Sequence, residues 1–266
     1  MPNFLENLRQ SWIENPFRVG TWYYRHRFPV FGVPGACPDA RVKPPFQDRT
    51  YRLRLEDRED AFQALAMFRD ANPWNRLELP VEPETIVDLG ANRGFSSLYW
   101  KIRFPGARVV GVEMNHDNAT RCRSLFSENA IEATFHELAI AGHDGVLAFR
   151  PHEAHTRHRL ENLVGNDTFE SQYLADPVEV RCLSLPSFLA EAGLSRVDLL
   201  KVDIEGAEQY LLENVADWAP LVDRLLLEIH HNIDPDWARR RLEESGFSVD
   251  EGDTFDRTEW WCRSIR

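Results

Sequence analysis

From residue 84 onward, short apolar runs alternate with amphipathic segments, and this alternation limits the possible folds more than any other feature of the sequence. Runs at Thr85–Leu89, 108–112 and 197–204 have the length and composition of buried strands. Between them, Phe95–Arg103 and 116–129 carry apolar residues at helical spacing. Strands that alternate with helices in this way form mostly parallel sheets covered on both faces. We therefore expect an α/β fold with a doubly wound sheet.

The alternation continues through the second half of the chain. Further strands are predicted at 133–136, 146–150, 178–183 and 224–230, and further helices at 186–192, 207–214 and 235–245. Segments 247–250 and 259–264 could close as a hairpin. Such a hairpin would give the sheet one antiparallel edge.

Composition changes near residue 80. The residues before it are rich in aromatic side chains, and prolines concentrate between about 28 and 48, which argues against long regular elements there. A strand at 51–55 and helical segments near 57–70 are predicted to follow. We expect residues 1–80 to form an N-terminal arm or cap and residues 81–266 to form the ligand-binding domain. The arm could pack on the chain, cover a substrate or contact a second copy in a homo-oligomer, and we favour packing.

The composition of the chain also limits its partners and its location. A net charge of −12 over 266 residues repels phosphate backbones, so nucleic acid is not an expected partner. No apolar leader follows a basic start, and no apolar run approaches the roughly 20 residues that cross a bilayer, so we expect a cytoplasmic protein with no membrane partner. The cysteines form no CxxC pair and show no regular spacing, which favours reduced, buried thiols: Cys37, Cys122, Cys182 and Cys262.

The segment TIVDLGANRGFSS (85–97) joins the first strand of the alternation to its first helix. Gly90 permits a sharp turn, and Gly94 lies where the helix must start close to the sheet. The GxGxxG spacing of dinucleotide-binding turns is absent. Asp88 precedes the turn, and a carboxylate there would repel a pyrophosphate but attract an ammonium. A cationic ligand such as S-adenosylmethionine is therefore expected.

An acid at the end of the next strand would complete a site of this kind by reaching ribose hydroxyls. VVGVE (109–113) ends in Glu113, which can accept hydrogen bonds from two hydroxyls. Asp88 or Glu113 alone would be read as a surface acid at a strand end. Their combination at these offsets favours a cofactor site.

The segment DLLKVDIEGAEQYLLE (198–213) ends a strand that is expected beside the first one. Alternation places Lys201, Asp203 and Glu205 on one face. Charges on a central strand are costly unless they pair or serve a site. For Lys201 we favour an ion pair with Glu208 that holds strand to helix. Asp203, nearest the ligand edge, is the better candidate for chemistry.

The strand RLLLEIHHN (224–232) carries the next polar pair. Glu228 and His230 share a face and could both point into the ligand cleft. A histidine there could take a proton from a hydroxyl near neutral pH. His230 could equally be a packing residue, and both interpretations stay open.

Four segments together resemble the FkbM family of S-adenosylmethionine-dependent methyltransferases. They are IVDLGANRGFSSLYW, VVGVEMNHDN, ELAIAGHDG and LLKVDIEGAEQYLLEN, followed by LLLEIH, and the resemblance covers roughly residues 84–230. The Lys-x-Asp-x-Glu-Gly-x-Glu stretch is its most specific part. The resemblance implies a seven-stranded class I methyltransferase fold and methyl transfer to oxygen, commonly on a sugar or natural-product hydroxyl.

The resemblance also implies roles for individual residues. The methionine moiety of the cofactor would contact the turn after the first strand, the ribose the acid of the next strand, and the adenosine two later positions. The residues of the turn are Asp88, Gly90, Asn92 and Gly94. The acid for the ribose is Glu113, and the two positions for the adenosine are Asn115 and Ala139. Asp203 and Glu205 would lie at the methyl end.

Methyl transfer to an alcohol needs help in removing the hydroxyl proton, and two versions fit the sequence. In one, Asp203 or His230 is the general base. In the other, Asp203, Glu205, Glu228 and His230 hold a magnesium ion that lowers the pKa of the alcohol. We favour the metal-free version. A further group, His152, His155 and His158, is interpreted as a polar loop over the substrate cleft rather than a metal site.

Two other functions compete with an O-methyltransferase acting on a small hydroxylated molecule. An NAD(P)-dependent dehydrogenase is disfavoured by the missing GxGxxG and by the acid before the turn. A non-catalytic or cofactor-sensing protein of the same fold should tolerate loss of the acids at the strand ends. Because Asp88, Glu113, Asp203 and Glu205 are all present, an active enzyme is favoured.

Overall fold

The computed structural model describes residues 8–27, 39–77, 79, 81–150, 159–160, 176–251 and 259–265. The chain divides into two compact units. The first comprises Met1–Glu78 together with Arg123–Glu132, and the second comprises Leu79–Cys122 together with Ala133–Arg266. Because the first unit also includes a later segment, the expected division into domains 1–80 and 81–266 stays a prediction.

The first unit combines two helices with a short antiparallel pair of strands. Its elements are α1 (Pro16–Arg27), β1 (Ala40–Val42), β2 (Tyr51–Leu53), α2 (Arg58–Met67) and a 3-10 turn (Pro73–Arg76). Strand β2 and helix α2 lie where the sequence predicts them. Helix α2 begins after Asp57 because the side chain of Asp57 accepts a hydrogen bond from the backbone N–H of Asp60.

The second unit contains a seven-stranded sheet, hereafter the main sheet. Its strands are β3 (Thr85–Leu89), β4 (Arg108–Glu113), β5 (Thr134–Glu137), β10 (Leu199–Val202), β11 (Arg224–Glu228), β12 (Phe247–Glu251) and β13 (Glu259–Ser264). Their order is β12-β13-β11-β10-β3-β4-β5. The five strands from β11 to β5 are parallel, whereas β13 is antiparallel to both β11 and β12. The doubly wound, mostly parallel, seven-stranded sheet with an antiparallel edge is therefore confirmed.

Helices cover this sheet, as the alternation predicts. They are α3 (Phe95–Arg103), α4 (His116–Glu128), α5 (Leu185–Glu191), α6 (Glu208–Glu213), α7 (Val215–Trp218) and α8 (Pro235–Glu244), with a 3-10 turn at Ala219–Leu221. Helix α3 is apolar on most of its surface, and Leu98, Tyr99 and Trp100 are fully buried. Among the described helices, none has both the length and the apolar character needed to cross a membrane.

The main-sheet core explains why its strands appear as continuous apolar runs. Val87 and Leu89 of β3 and Leu200 and Val202 of β10 are buried in one hydrophobic cluster. All residues of β10 and all but the first of β3 are buried, so both faces of these central strands are covered and they need no alternation of apolar and polar residues. Three cysteines are buried free thiols, as expected, and Cys37 lies outside the described residues.

Two strands that the sequence predicts lie outside the main sheet. They belong to a four-stranded sheet with the order β6-β9-β7-β8. Its strands are β6 (Ala139–Ile140), β7 (Gly145–Arg150), β8 (Arg159–Leu160) and β9 (Val178–Leu183). β7 and β9 pair in antiparallel orientation and are only partly buried. One-sided burial of this kind is typical of antiparallel sheets and does not suit the centre of a parallel one.

Candidate active site

The carboxyl ends of four parallel strands meet at one edge of the main sheet. Leu89 of β3 pairs with Val202 of β10, and Val202 pairs with Leu227 of β11. The turns that follow these strands therefore start at the same level. The chain winds outward through β4 and β5 on one side of β3 and returns to β10 on the other. Ligands of open α/β sheets bind at such reversal points, beyond the carboxyl ends of the strands.

The turn after β3 packs directly against the backbone after β10. Gly90 has a φ of +76°, and a Cβ at this position would lie 1.7 Å from the carbonyl oxygen of Asp203. The N–H of Asp203 in turn donates to the carbonyl of Leu89 over 3.1 Å. Asn92 and Gly94 also have positive φ, of 51° and 87°. The turn therefore depends on glycine at position 90 for its close approach to Asp203.

Asp88 lies at the end of β3 and is fully buried. Its Oδ2 accepts hydrogen bonds from the hydroxyls of Ser96 (2.7 Å) and Ser97 (2.6 Å) in the first turn of α3. Its Oδ1 lies 3.2 Å from the Nζ of Lys201. The expected ammonium partner of Asp88 is thus present within the chain. A direct contact of Asp88 with a cofactor stays a prediction, and this geometry favours an indirect role through the turn.

The sequence-based partner of Lys201 was wrong. Lys201 does not pair with Glu208; its Nζ lies between Asp88 and Asp203, 3.4 Å from the latter, and donates to the carbonyl of Gly90 over 3.0 Å. Burial by itself lowers the pKa of Lys201, but the two aspartates outweigh burial and raise it. The prediction failed because the Lys201 side chain extends from β10 toward the neighbouring strand β3 and not toward the helix that follows β10.

Glu113, at the end of β4, is buried and tied to the turn after β3. Its Oε2 accepts from the backbone N–H of Asn92 and its Oε1 from that of Asn115, each over 2.8 Å. A carboxylate can accept hydrogen bonds from hydroxyl groups as well as from backbone N–H groups. Glu113 thus lies at the end of β4, where the sequence predicts an acceptor for ribose hydroxyls, and the ribose contact itself stays a prediction.

The two predicted adenosine positions follow β4 and begin β6. Asn115 caps helix α4, since its Oδ1 accepts from the N–H of Asn118 over 3.0 Å. Ala139 is buried and pairs with Cys182 of β9. Both positions belong to the same unit as Glu113, and their contacts with a cofactor stay predictions.

A cluster of ionisable side chains follows β10 and β11. Ligand-type atoms of Asp203, Glu228 and His230 all lie within 4.8 Å of one another. The Nε2 of His230 is 3.9 Å from Asp203 and 3.6 Å from Glu205. Glu205 has a φ of 54°, in the left-handed region that non-glycine residues seldom adopt. Glu228 and His230 thus lie close together, and the expectation that both point into a ligand cleft stays a prediction.

The charges in this cluster are strongly coupled. The pKa of Glu228 is raised to about 8. The neighbouring carboxylate of Asp203 is the largest cause, and burial is the second. Burial by itself lowers the pKa of His230, but Glu208, Glu205 and Asp203 outweigh burial and raise it to about 10. At neutral pH, Glu228 therefore holds a proton in most molecules and His230 is an imidazolium. The spacing would also allow a divalent cation to contact three of these side chains: Asp203, Glu228 and His230.

A family model described as the methyltransferase FkbM domain matches residues 88–255. The chain belongs to the FkbM methyltransferase family. The matched span begins at Asp88 and contains both the turn after β3 and the cluster after β11. It does not include the first unit's N-terminal residues.

Three comparisons illustrate how this FkbM-family chain relates to known proteins. It is 29% identical to methyltransferase sdnD of Sordaria araneosa, with 80% of this chain and 90% of sdnD covered. It is 27% identical to 2-O-methyltransferase NoeI of Sinorhizobium fredii, with 46% of this chain and 54% of NoeI covered. It also matches a crystal structure of methyltransferase FkbM from Methylobacillus flagellatus with a TM-score of 0.43 and 15% identity, covering 72% of this chain and 45% of that one.

Sequence reasoning about this FkbM-family site missed the role of Glu208. Glu208 is fully buried, and its carboxylate contacts the turn after β10 and His230 rather than Lys201. The available signal was an acid in the first turn of a helix that follows a glycine turn, which favours backbone N–H groups as partners. His152, His155 and His158 lie outside the described residues.

Proposed function

We propose that this FkbM-family chain is an S-adenosylmethionine-dependent O-methyltransferase that acts on a hydroxyl of a small molecule of the sugar or natural-product type. One observation carries the proposal. The turn that Glu113 anchors and the cluster around Asp203 lie at the same edge of the main sheet, joined where Gly90 packs against Asp203. The proposed cofactor site and the proposed proton acceptor would thereby be adjacent.

Binding would use the turn after β3 and the acid after β4. Glu113 would accept hydrogen bonds from the ribose hydroxyls in addition to those from the backbone N–H groups of Asn92 and Asn115. Asn92 and Gly94 would shape the surface for the methionine moiety, and Asp88 would hold the turn through Lys201. S-adenosylmethionine would supply a methyl group on a sulfonium, whose positive charge suits an edge rich in carboxylates.

The residues after β10 and β11 would orient the acceptor hydroxyl and take its proton. Positioning is the main contribution that a protein makes to an in-line displacement. The carboxylate of Asp203 lies 3.4 Å from the Nζ of Lys201 and its side chain is 34% exposed, so it can accept a hydrogen bond from a hydroxyl. His230 can serve as the base only after it has lost its own proton. We favour this metal-free version over one in which magnesium activates the alcohol.

Oxygen as the methylated atom is supported by a relative. NoeI is named a 2-O-methyltransferase, and its match with this chain extends over 131 residues. The partly exposed carboxylates of Asp203 and Glu205 also suit hydrogen bonds to hydroxyl groups.

Calorimetric titration with S-adenosylhomocysteine tests the cofactor assignment. Saturable binding is expected for the unmodified chain, with loss of at least tenfold in affinity in Glu113→Ala, because a buried acceptor pair for the ribose is removed. Glu179→Ala changes an exposed acid of β9 and serves as the matched control. NAD is the control ligand.

Methyl transfer is then measured from isotope-labelled S-adenosylmethionine to a panel of hydroxylated sugars and natural products, with and without EDTA. Activity that survives EDTA supports the metal-free version, and activity that magnesium restores after EDTA overturns it. Binding of NAD instead of S-adenosylhomocysteine would favour the dehydrogenase. Cofactor binding without transfer to any acceptor would favour a sensor.

A further inference from the structure

The carboxylate of Glu208 joins three separate parts of the site. It is fully buried at the start of α6. Its Oε1 accepts from the N–H of Ile204 over 2.7 Å, and its Oε2 accepts from the N–H of Gly206 over 2.8 Å. Oε1 also lies 3.1 Å from the Nδ1 of His230 on the chain after β11. One side chain thus connects a turn, a helix and the end of a neighbouring strand.

The two backbone bonds fix the turn that follows β10. This turn places Glu205 and Gly206 at positive φ, 54° and 100°. The side chain of Asn232 donates to the carbonyl of Gly206 over 3.0 Å and closes the turn from the other side. Because left-handed backbone at a glutamate is unfavourable alone, these bonds hold the Glu205 side chain where it faces His230.

The contact with Nδ1 determines which nitrogen of His230 faces the edge of the sheet. A carboxylate accepts hydrogen bonds and cannot donate them, so the Nδ1 beside Glu208 carries a proton. The other nitrogen, Nε2, is then directed at Asp203 and Glu205, 3.9 Å and 3.6 Å away. The His230 side chain is only 13% exposed, so few other orientations are open to the ring.

We propose that Glu208 is a positioning residue: it holds the Nδ1–H of His230 and thereby presents Nε2, next to Asp203, as the nitrogen that exchanges a proton at the acceptor site. This inference rests on the proposed methyltransferase function. Glu208 itself touches neither cofactor nor acceptor in this scheme. The proton on Nδ1 stays shared with Glu208, and Nε2 releases or takes one proton.

Charged groups from every neighbouring element face His230, and each influences its titration. Glu208 comes from α6, and Asp203 and Glu205 come from the turn after β10. Glu228 precedes His230 on the same segment and pairs in register with Glu259 of β13. Lys201 acts from the opposite side of Asp203. A change at Glu208 must therefore be compared with changes at the other acids.

Nitrogen-15 NMR of histidine-labelled full-length chain tests the contact without any need for an acceptor. The His230 signal is assigned from its absence in His230→Gln. In Glu208→Gln we expect the titration midpoint of His230 to fall by at least about one pH unit, because a carboxylate at hydrogen-bond distance is lost. Glu208→Asp keeps the charge but shortens the side chain and should give a smaller fall. Glu213→Gln, an exposed position on the same helix, should leave the midpoint unchanged.

An unchanged His230 midpoint in a folded Glu208→Gln would overturn the proposal. If that variant does not fold, the decision passes to Glu208→Asp, for which an unchanged midpoint and unchanged ring signals would overturn it. The NMR result does not depend on methyl transfer. If the titration midpoint of His230 falls as expected but no methyl group is transferred, the proposed function is wrong and the contact between Glu208 and His230 is still supported.

The kinetic test uses an acceptor found in the panel. Glu208→Gln should lower kcat by roughly 10²-fold or more and leave KM for S-adenosylmethionine within twofold, since a wrong ring tautomer impairs proton transfer but not binding. Adding Glu208→Gln to His230→Gln should cause a much smaller further loss, because only the backbone contacts of the turn are then weakened. A further tenfold loss in that double variant would show that Glu208 acts by a structural route, and the proposal would be wrong.

Discussion

Lys201 shows at the scale of single residues how a charge is accommodated inside the main sheet. Its side chain is 4% exposed, and Asp88, Asp203 and the carbonyl of Gly90 surround its Nζ. The cost of removing an ammonium from water is offset here by two carboxylates of opposite charge. The same contacts hold the end of β3 beside the end of β10, so the pair contributes to the shape of the site.

Replacing Lys201 with methionine should destabilise the fold strongly. The change leaves the buried Asp88 without its cation, and the loss in free energy of unfolding should be about 3–5 kcal/mol. Chemical denaturation measures it, with Lys43→Met at an exposed position as the control, expected within about 0.5 kcal/mol of the unmodified chain. The double variant Asp88→Asn with Lys201→Met should recover part of the loss. A single variant as stable as the control would contradict the role assigned to this ion pair.

The turn after β3 shows at the scale of elements why a particular residue type is needed. Gly90 combines a positive φ with close approach to the Asp203 carbonyl. Gly193, after α5, has a similar φ of +66° but nothing within 4 Å of an added Cβ. Substitutions at the two glycines therefore distinguish the cost of backbone strain, which both share, from the cost of a steric contact, which only Gly90 would have.

Alanine at these two positions should give different results. Gly193→Ala should cost about 1–2 kcal/mol from backbone strain alone and retain binding of S-adenosylhomocysteine. Gly90→Ala should cost more, because the turn must move away from Asp203, and should also lose that binding. Denaturation and calorimetry on the same preparations measure both effects. Equal stability and equal binding in the two variants would show that the Gly90 contact is unimportant.

The protonation of the cluster has a consequence for the whole molecule. Glu228 ordinarily loses its proton near 4.5 and His230 near 6.5, but in the folded chain their pKa values are about 8 and about 10. From about pH 4.5 to 10 the folded state therefore binds more protons than the unfolded state. Stability that is linked to these groups is present at low pH and is lost as pH rises.

We expect the free energy of unfolding to fall between pH 6 and 9, most steeply between about 6.5 and 8, where both groups contribute. Each contributes at most about 1.4 kcal/mol per pH unit. Thermal denaturation across this range measures the slope. Glu228→Gln should reduce the slope below pH 8, and His230→Gln should reduce it above 6.5. Stability that rises with pH over this window, or equal slopes in all three proteins, would contradict the assigned protonation states.

Much of the site could be predicted because strand ends in a parallel sheet lie together. The apolar runs in the sequence predicted the positions of β3, β4, β10 and β11. The polar residue at the end of each run was therefore expected at the carboxyl edge of the sheet. This reasoning placed Gly90 in a tight turn and Glu113 and Asp203 at the same edge, as the structure shows. These conclusions depend only on periodicity and on residues near in sequence.

Other features depended on the tertiary structure. Strands β7 and β9 have strand-like sequences, but only their pairing places them in a second sheet. The register of β3 and β10 brings Lys201 to Asp88, more than a hundred positions away in the chain, and not to Glu208. The contact between Glu208 and His230 likewise joins an α6 residue to the segment after β11. The sequence by itself therefore determined which residues lie at the carboxyl edge of the main sheet. The packing of distant segments decided which of them pair, because these contacts join side chains that are far apart in the chain.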